Sequence, residues 1–173
     1  MISKMIPTWS RQCARILDRI RHAIGRKSMP APSSDVGMRL QPLLRRWNTE
    51  RVKLLPPELP ANVEAVFERL GSKATRDVVE LFSLLGGMDK MDDGYLKLWS
   101  LQEMESENTV RSEFGPIFAD YLISSWCFRL RPIDEATSAV YVDHFDPRPP
   151  ELVASSLTEF LTIYERDPEA AHA

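Results

Sequence analysis

The sequence predicts an α+β domain: an antiparallel sheet of about four or more strands with flanking helices, joined to an N-terminal helical extension. Three observations predict it. Apolar residues recur at helical spacing up to residue 85 and again after residue 150, and β-branched and aromatic runs fill residues 95–145. A stretch rich in Pro and Ser sets off the first part of the chain.

Taken in order, Trp9, Cys13, Ile16, Leu17, Ile20, Ala23 and Ile24 fall on one face of a helix whose other side carries Arg11, Arg15, Arg19 and Arg26, stopping near Gly25. Residues 28–37, with Pro30, Pro32, Ser33, Ser34 and Gly37, read as a linker. The predicted division is therefore residues 1–37, a basic amphipathic helix and linker, then a domain over 38–167 and a frayed tail over 168–173. A second basic helix is expected over 40–52, with Leu40, Leu43, Leu44 and Trp47 inward, ended by Pro56, Pro57 and Pro60. Val63, Val66, Phe67 and Leu70 mark a third, closed by Gly71; Val78, Leu81, Phe82 and Leu85 mark a fourth, closed by Gly86 and N-capped by Thr75. Residues 95–101, 117–123, 126–131 and 139–145 read as strands, antiparallel because the later connections are too short for crossover helices. After Pro149 and Pro150 a final helix buries Val153, Leu157, Phe160, Leu161 and Tyr164.

The chain has 173 residues and a formal net charge of -3. A chain of this length buries about 70% of its unfolded surface, so it needs no metal or disulfide to hold a core. Cys13 and Cys127 have no partner at ligand spacing, which suits a reducing compartment, and apolar runs reach only four residues. A cytoplasmic address is expected. The net charge conceals a division: residues 1–53 hold 12 basic and 3 acidic side chains, or +9, and residues 54–173 hold 10 basic and 22 acidic ones, or -12. Sign asymmetry of this kind points to two surfaces with different partners. A basic helix suits packing, targeting, or weak contact of residues 1–53 with a membrane surface or nucleic acid.

Three places in the chain carry candidate chemistry. The turn Asp89, Asp92, Asp93, Gly94 has the density of a calcium loop, but with Asp89 as first ligand Met91 occupies the third position and Ser100 the twelfth. Asp143, His144 and Asp146 cluster at a strand end, yet alternation sends Asp143 and His144 to opposite faces. Cys127, inside Trp126-Cys127-Phe128, reads as a buried thiol rather than a nucleophile. The seven glycines form no phosphate-cradling loop. No cofactor, metal, small-molecule substrate or catalytic residue is expected from these patterns.

The stretch 63–87, Val-Glu-Ala-Val-Phe-Glu-Arg-Leu-Gly-Ser-Lys-Ala-Thr-Arg-Asp-Val-Val-Glu-Leu-Phe-Ser-Leu-Leu-Gly-Gly, resembles the opening of the SMI1/KNR4-like (SUKH) superfamily, in which a helix carrying Glu and Gly precedes one ending in a small turn. Leu96-Lys97-Leu98-Trp99-Ser100-Leu101-Gln102-Glu103-Met104 is similar to its next strand and short helix. Pro116-Ile117-Phe118-Ala119-Asp120, Ala139-Val140-Tyr141-Val142 and Ala154-Ser155-Ser156-Leu157-Thr158-Glu159-Phe160-Leu161 resemble its later strands and closing helix. Ala74-Thr75 stands where the family has Leu-Pro, and Leu85-Gly86-Gly87 where it has Asn-Gly. The resemblance implies a non-enzymatic binding domain, most often a bacterial immunity protein that blocks a cognate toxin. Many such toxins are nucleases with cationic grooves, which an acidic body suits. Charge and loop position then nominate Asp89, Asp92, Asp93, Glu103, Glu105, Glu107, Asp143 and Asp146 as contacts, with Tyr95 and Trp99 as aromatic anchors. A regulatory adaptor tethered through residues 1–53 is the alternative.

Overall fold

A computed structural model describes residues 35–171, which all belong to one contact unit; the expected helix at residues 9–25 lies outside the described residues. Five α-helices and a five-stranded sheet follow in the order α1 (Asp35–Thr49), α2 (Pro60–Arg69), α3 (Arg76–Leu84), β1 (Leu96–Leu98), α4 (Leu101–Glu107), β2 (Ile117–Tyr121), β3 (Trp126–Pro132), β4 (Ser138–Asp143), β5 (Glu151–Ala154) and α5 (Leu157–Arg166). A 3₁₀ turn at Glu169–Ala171 closes the described chain.

Helix α1 begins at Asp35, two residues before the expected end of the linker and five before the expected start of that helix at Leu40. Val36 and Gly37 are buried in its first turn, and the Gly37 amide donates to Glu80 Oε1 on α3 at 3.2 Å. Its end is local: Arg51 takes the left-handed conformation (φ 58°) and Val52 N donates back to Trp47 O at 2.9 Å, closing the last turn before any proline is reached. Pro60 opens α2 at a position where the missing amide costs nothing, and Gly71 (φ 74°) closes it as expected, with Ser72 N donating to Phe67 O.

Thr75 occupies the N-cap of α3 as expected, but its hydroxyl does not cap the helix. It bonds Asp77 and Ser138 instead, while the amides of Arg76 and Asp77 donate to Glu135 O and Ala136 O of the β3–β4 turn, each at 3.1 Å. A tertiary contact thus supplies the acceptors that the sequence assigned to a local hydroxyl. Gly86 serves close approach rather than a left-handed cap, since a Cβ there would lie 2.1 Å from Pro56 O.

The sheet is an antiparallel meander in chain order, β1-β2-β3-β4-β5. Four strands were expected; β5 was not, and the final helix was expected to start at its residues. Val153 therefore lies on a strand, and α5 starts after Ser156, whose hydroxyl accepts from Glu159 N at 3.1 Å. Across one sheet face Leu98, Ala119, Phe128 and Val142 stand in register, and α5 packs between this face and α1. Phe160 is fully buried there, with ring centroids 5.8 Å from Phe118 and 4.9 Å from Phe128. The tail expected to fray instead buries Ala171.

Asp92 ties three elements together. Its carboxylate, buried to 4% exposure, accepts from Trp47 Nε1 (2.6 Å) and Arg46 Nη2 (3.1 Å) of α1, from the Leu96 amide (3.0 Å) of β1 and from the Tyr164 hydroxyl (2.6 Å) of α5. Arg46 also lies over the Tyr164 ring at 5.0 Å. No helix among the described residues is long and apolar enough to cross a membrane.

Candidate functional site

A meander places the start of β1, the end of β2, the start of β3 and the end of β4 at one end of the sheet. Three large apolar side chains stand exposed there: Tyr95 at 54%, Ile123 at 86% and Phe145 at 56%. All three have left-handed backbone, with φ of 66°, 54° and 54°, as do Leu122 and Ser124 between them. For a β-branched residue such as Ile123 this conformation is strained.

The strain is held by polar contacts from behind. Tyr95 N donates to Asp92 O at 3.0 Å and Leu122 N to Tyr95 O at 3.2 Å, joining the first two exposed positions. Ser124 N donates to Asp120 Oδ1 and Phe145 N to Asp143 Oδ1 at 2.9 Å, so two buried carboxylates position the two turns. Beneath them Tyr121 stacks on Trp126, with centroids 5.5 Å apart, and His144 meets the edge of Trp126 at 5.6 Å. Burial, then the charges of Glu169, Asp92, Tyr95 and Asp167, push the Tyr121 hydroxyl up from its ordinary range. Of these charges, Glu169 and Asp167 belong to the C-terminal end of the chain, near the aromatic base.

The expected contact residues separate into three groups. Asp93 and Tyr95 are exposed at this end, and Asp89 opens the same loop with its carboxylate accepting from Lys53 N at 3.1 Å. Asp146 is held on Arg148, whose hydrogen bonds keep its carboxyl below the usual range. Asp92 and Asp143 are withdrawn from the surface: Asp92 binds the four donors above, and Asp143 pairs with Arg129 Nε at 2.7 Å. Both work as supports of the exposed turns rather than as contacts.

The third group is on and beside α4. Trp99 is buried and donates from Nε1 to Asp120 at 3.3 Å, so it is no exposed anchor. Glu103 forms a capping box with Ser100 and pairs with Lys97; burial opposes its ionisation, but Lys97 and the Ser100 amide and hydroxyl outweigh burial and hold its carboxyl low. Glu103 and Glu107 face a cleft of about 280 Å³ with Asp120 and Ser124, beside the Ile123 turn, whereas Glu105 pairs with Arg69 on α2.

Asp143, His144 and Asp146 do not converge: the first faces Arg129, the second Trp126 and the third Arg148. Cys127 is 1% exposed, as expected, and burial pushes its thiol up to about 12. Among the described residues no group of three or more His, Cys, Asp or Glu side chains is placed to hold a metal ion.

Sequence reasoning missed Ile123 and Phe145, reading both as strand ends. Strand β2 stops at Tyr121, and the pair Ser124-Ser125 was the available turn signal. The sequence matches no protein-family model and no curated protein.

Proposed function

We propose that this chain is a non-enzymatic binding protein that neutralises a cationic protein, in the manner of the toxin-immunity proteins the sequence resembles, by stoichiometric blocking. The observation that carries the reading is the exposure of Tyr95, Ile123 and Phe145 on left-handed backbone at one end of the sheet, with the exposed acids Asp93 and Asp146 beside Tyr95 and Phe145 in the chain. Exposed apolar anchors rimmed by charge are the pattern of an interface whose core gives affinity and whose rim steers encounter. The described residues hold 24 acidic and 15 basic side chains, a net of -9, which suits a nuclease with a cationic groove. The order of elements also agrees with the resemblance: a helix closed by Gly71, a second ending before Gly86-Gly87, strand β1 running into the short helix α4, then strands and a closing helix.

The test is co-expression with a toxin encoded beside this chain. Wild type rescues growth and binds one-to-one; Ile123→Asp with Tyr95→Ala loses rescue while retaining its circular dichroism spectrum. Failure of the wild type to bind or rescue overturns the proposal.

A second reading rests on residues 1–34, which carry 7 basic side chains and 1 acidic one. There the chain is an adaptor recruited to anionic lipid or nucleic acid. Liposome and DNA binding that is salt-dependent in the full chain and lost from a chain starting at Ser33, which spares the buried Val36 and Gly37 of α1, would favour it.

A further inference from the structure

At the other end of the sheet, where β2 begins and β3 ends, a cleft of about 500 Å³ lies between the turn after α2 and the loop before β2. Its walls carry Lys73, Arg111 and Arg131 against a single acid, Glu113, on a body that is otherwise acidic. That local excess of two positive charges is the reverse of the surface around Ile123.

Two of the cations are positioned without being neutralised. Arg131 lies over the rings of Phe114 and Tyr141, at 5.8 and 5.9 Å, and has no carboxylate partner among the described residues. Arg111 crosses Gly71 so closely that a Cβ there would meet its Nε at 2.5 Å, and it too makes no hydrogen bond or ion pair among the described residues. Lys73 is spanned only by Glu135, at 3.2 Å, with both side chains largely exposed, a pair that contributes little. Gly115 (φ 82°) lets the loop press onto β3, since a Cβ there would lie 1.8 Å from Leu130 O, and this contact shapes the far wall.

Stacking of Arg131 on two rings and the course of Arg111 over Gly71 reduce the side-chain freedom that binding costs, while both residues stay open to solvent. A volume in the range of small-ligand pockets, about 300–1,000 Å³, argues for a metabolite-sized occupant. A phosphate group carries about -1.5 to -2 charge at pH 7 and three acceptor oxygens, matching three cations less one acid. We propose that this cleft binds a phosphoryl dianion, as free phosphate or a small phosphate monoester, through Arg111, Arg131 and Lys73. The site is independent of the protein-binding surface at the opposite end of the sheet.

The experiment is an amide and arginine Nε–H NMR titration of the full chain with inorganic phosphate, glycerol 3-phosphate and succinate in separate arms. Saturable shifts at Gly71, Gly115, Arg111 and Arg131 with Kd near or below about 1 mM support the proposal. Tighter binding of the ester assigns the occupant as a monoester; equal binding of both phosphates assigns it as free phosphate. Arg111→Gln and Arg131→Gln each weaken binding at least tenfold with the fold intact by circular dichroism, while Arg39→Gln on α1 changes nothing. Linear unsaturated shifts, unchanged affinity in both cleft variants, or succinate binding as tightly as the phosphates would overturn it.

Discussion

Replacing Asp92 by Asn should cost about as much as replacing it by Ala, although Asn is nearly isosteric. Each carboxylate oxygen accepts two donors: Tyr164 OH and Leu96 N meet Oδ1, and Trp47 Nε1 and Arg46 Nη2 meet Oδ2. An amide NH₂ in either orientation therefore faces two donors instead of accepting from them. Trp47 and Tyr164 are both fully buried, so an abandoned donor on either finds no water. At about 1–3 kcal/mol for each buried unsatisfied donor, with the charge partner of Arg46 lost as well, both variants should lose about 3–5 kcal/mol. Tyr164→Phe removes one donor and leaves the other three paired, for about 1.5 kcal/mol. Urea unfolding followed by circular dichroism reads this as a midpoint drop of about 2 M for the Asp92 variants, taking a slope near 2 kcal/mol/M. An Asp92→Asn midpoint within about 0.5 M of wild type would refute the reasoning.

Three further outcomes follow from the same structure. Ile123→Asn relieves a β-branched residue from left-handed backbone and should be neutral or stabilising by about 0.5–1 kcal/mol while weakening partner binding; a clear loss of stability would show that the turn carries no strain. Ser100→Ala breaks the capping box of α4 and should cost about 1 kcal/mol in thermal or urea unfolding, with an effect below about 0.3 kcal/mol counting against it. The Cys127 thiol, raised by burial from 9.0 to about 12, favours the protonated folded state, so its contribution is complete below about pH 9 and declines as pH rises toward 12. Between pH 8 and pH 10 wild type should therefore lose about 1.4 kcal/mol more than Cys127→Ala, and equal losses would contradict the burial of the thiol.

How far each element was legible depended on whether its cause was local. The inward faces of α2, α3 and α5 were legible because side-chain period reports burial directly, and the same logic placed Cys127 inside. Gly71 was legible as a helix stop because its left-handed backbone suits glycine by itself. Arg51 was not, since a left-handed arginine is set by the hydrogen bond from Val52 to Trp47 rather than by residue type. Strand β5 is four residues after two prolines, too short to show a period, and exists because β4 offers an edge.

The candidate site divides along the same line. Sequence composition by itself determined the opposed charges of the two ends of the chain, because charge adds without regard to fold. It also nominated Tyr95 and the acids near it. Only the tertiary structure decided which of those acids meet solvent: Asp92 and Asp143 look like their exposed neighbours in sequence, and are buried because donors from α1, α5 and β3 converge on them. The exposure of Ile123 was decided there too, where the strand ends and hydrogen bonds donated by Leu122 N to Tyr95 O and by Ser124 N to Asp120 hold a turn that no local propensity favours.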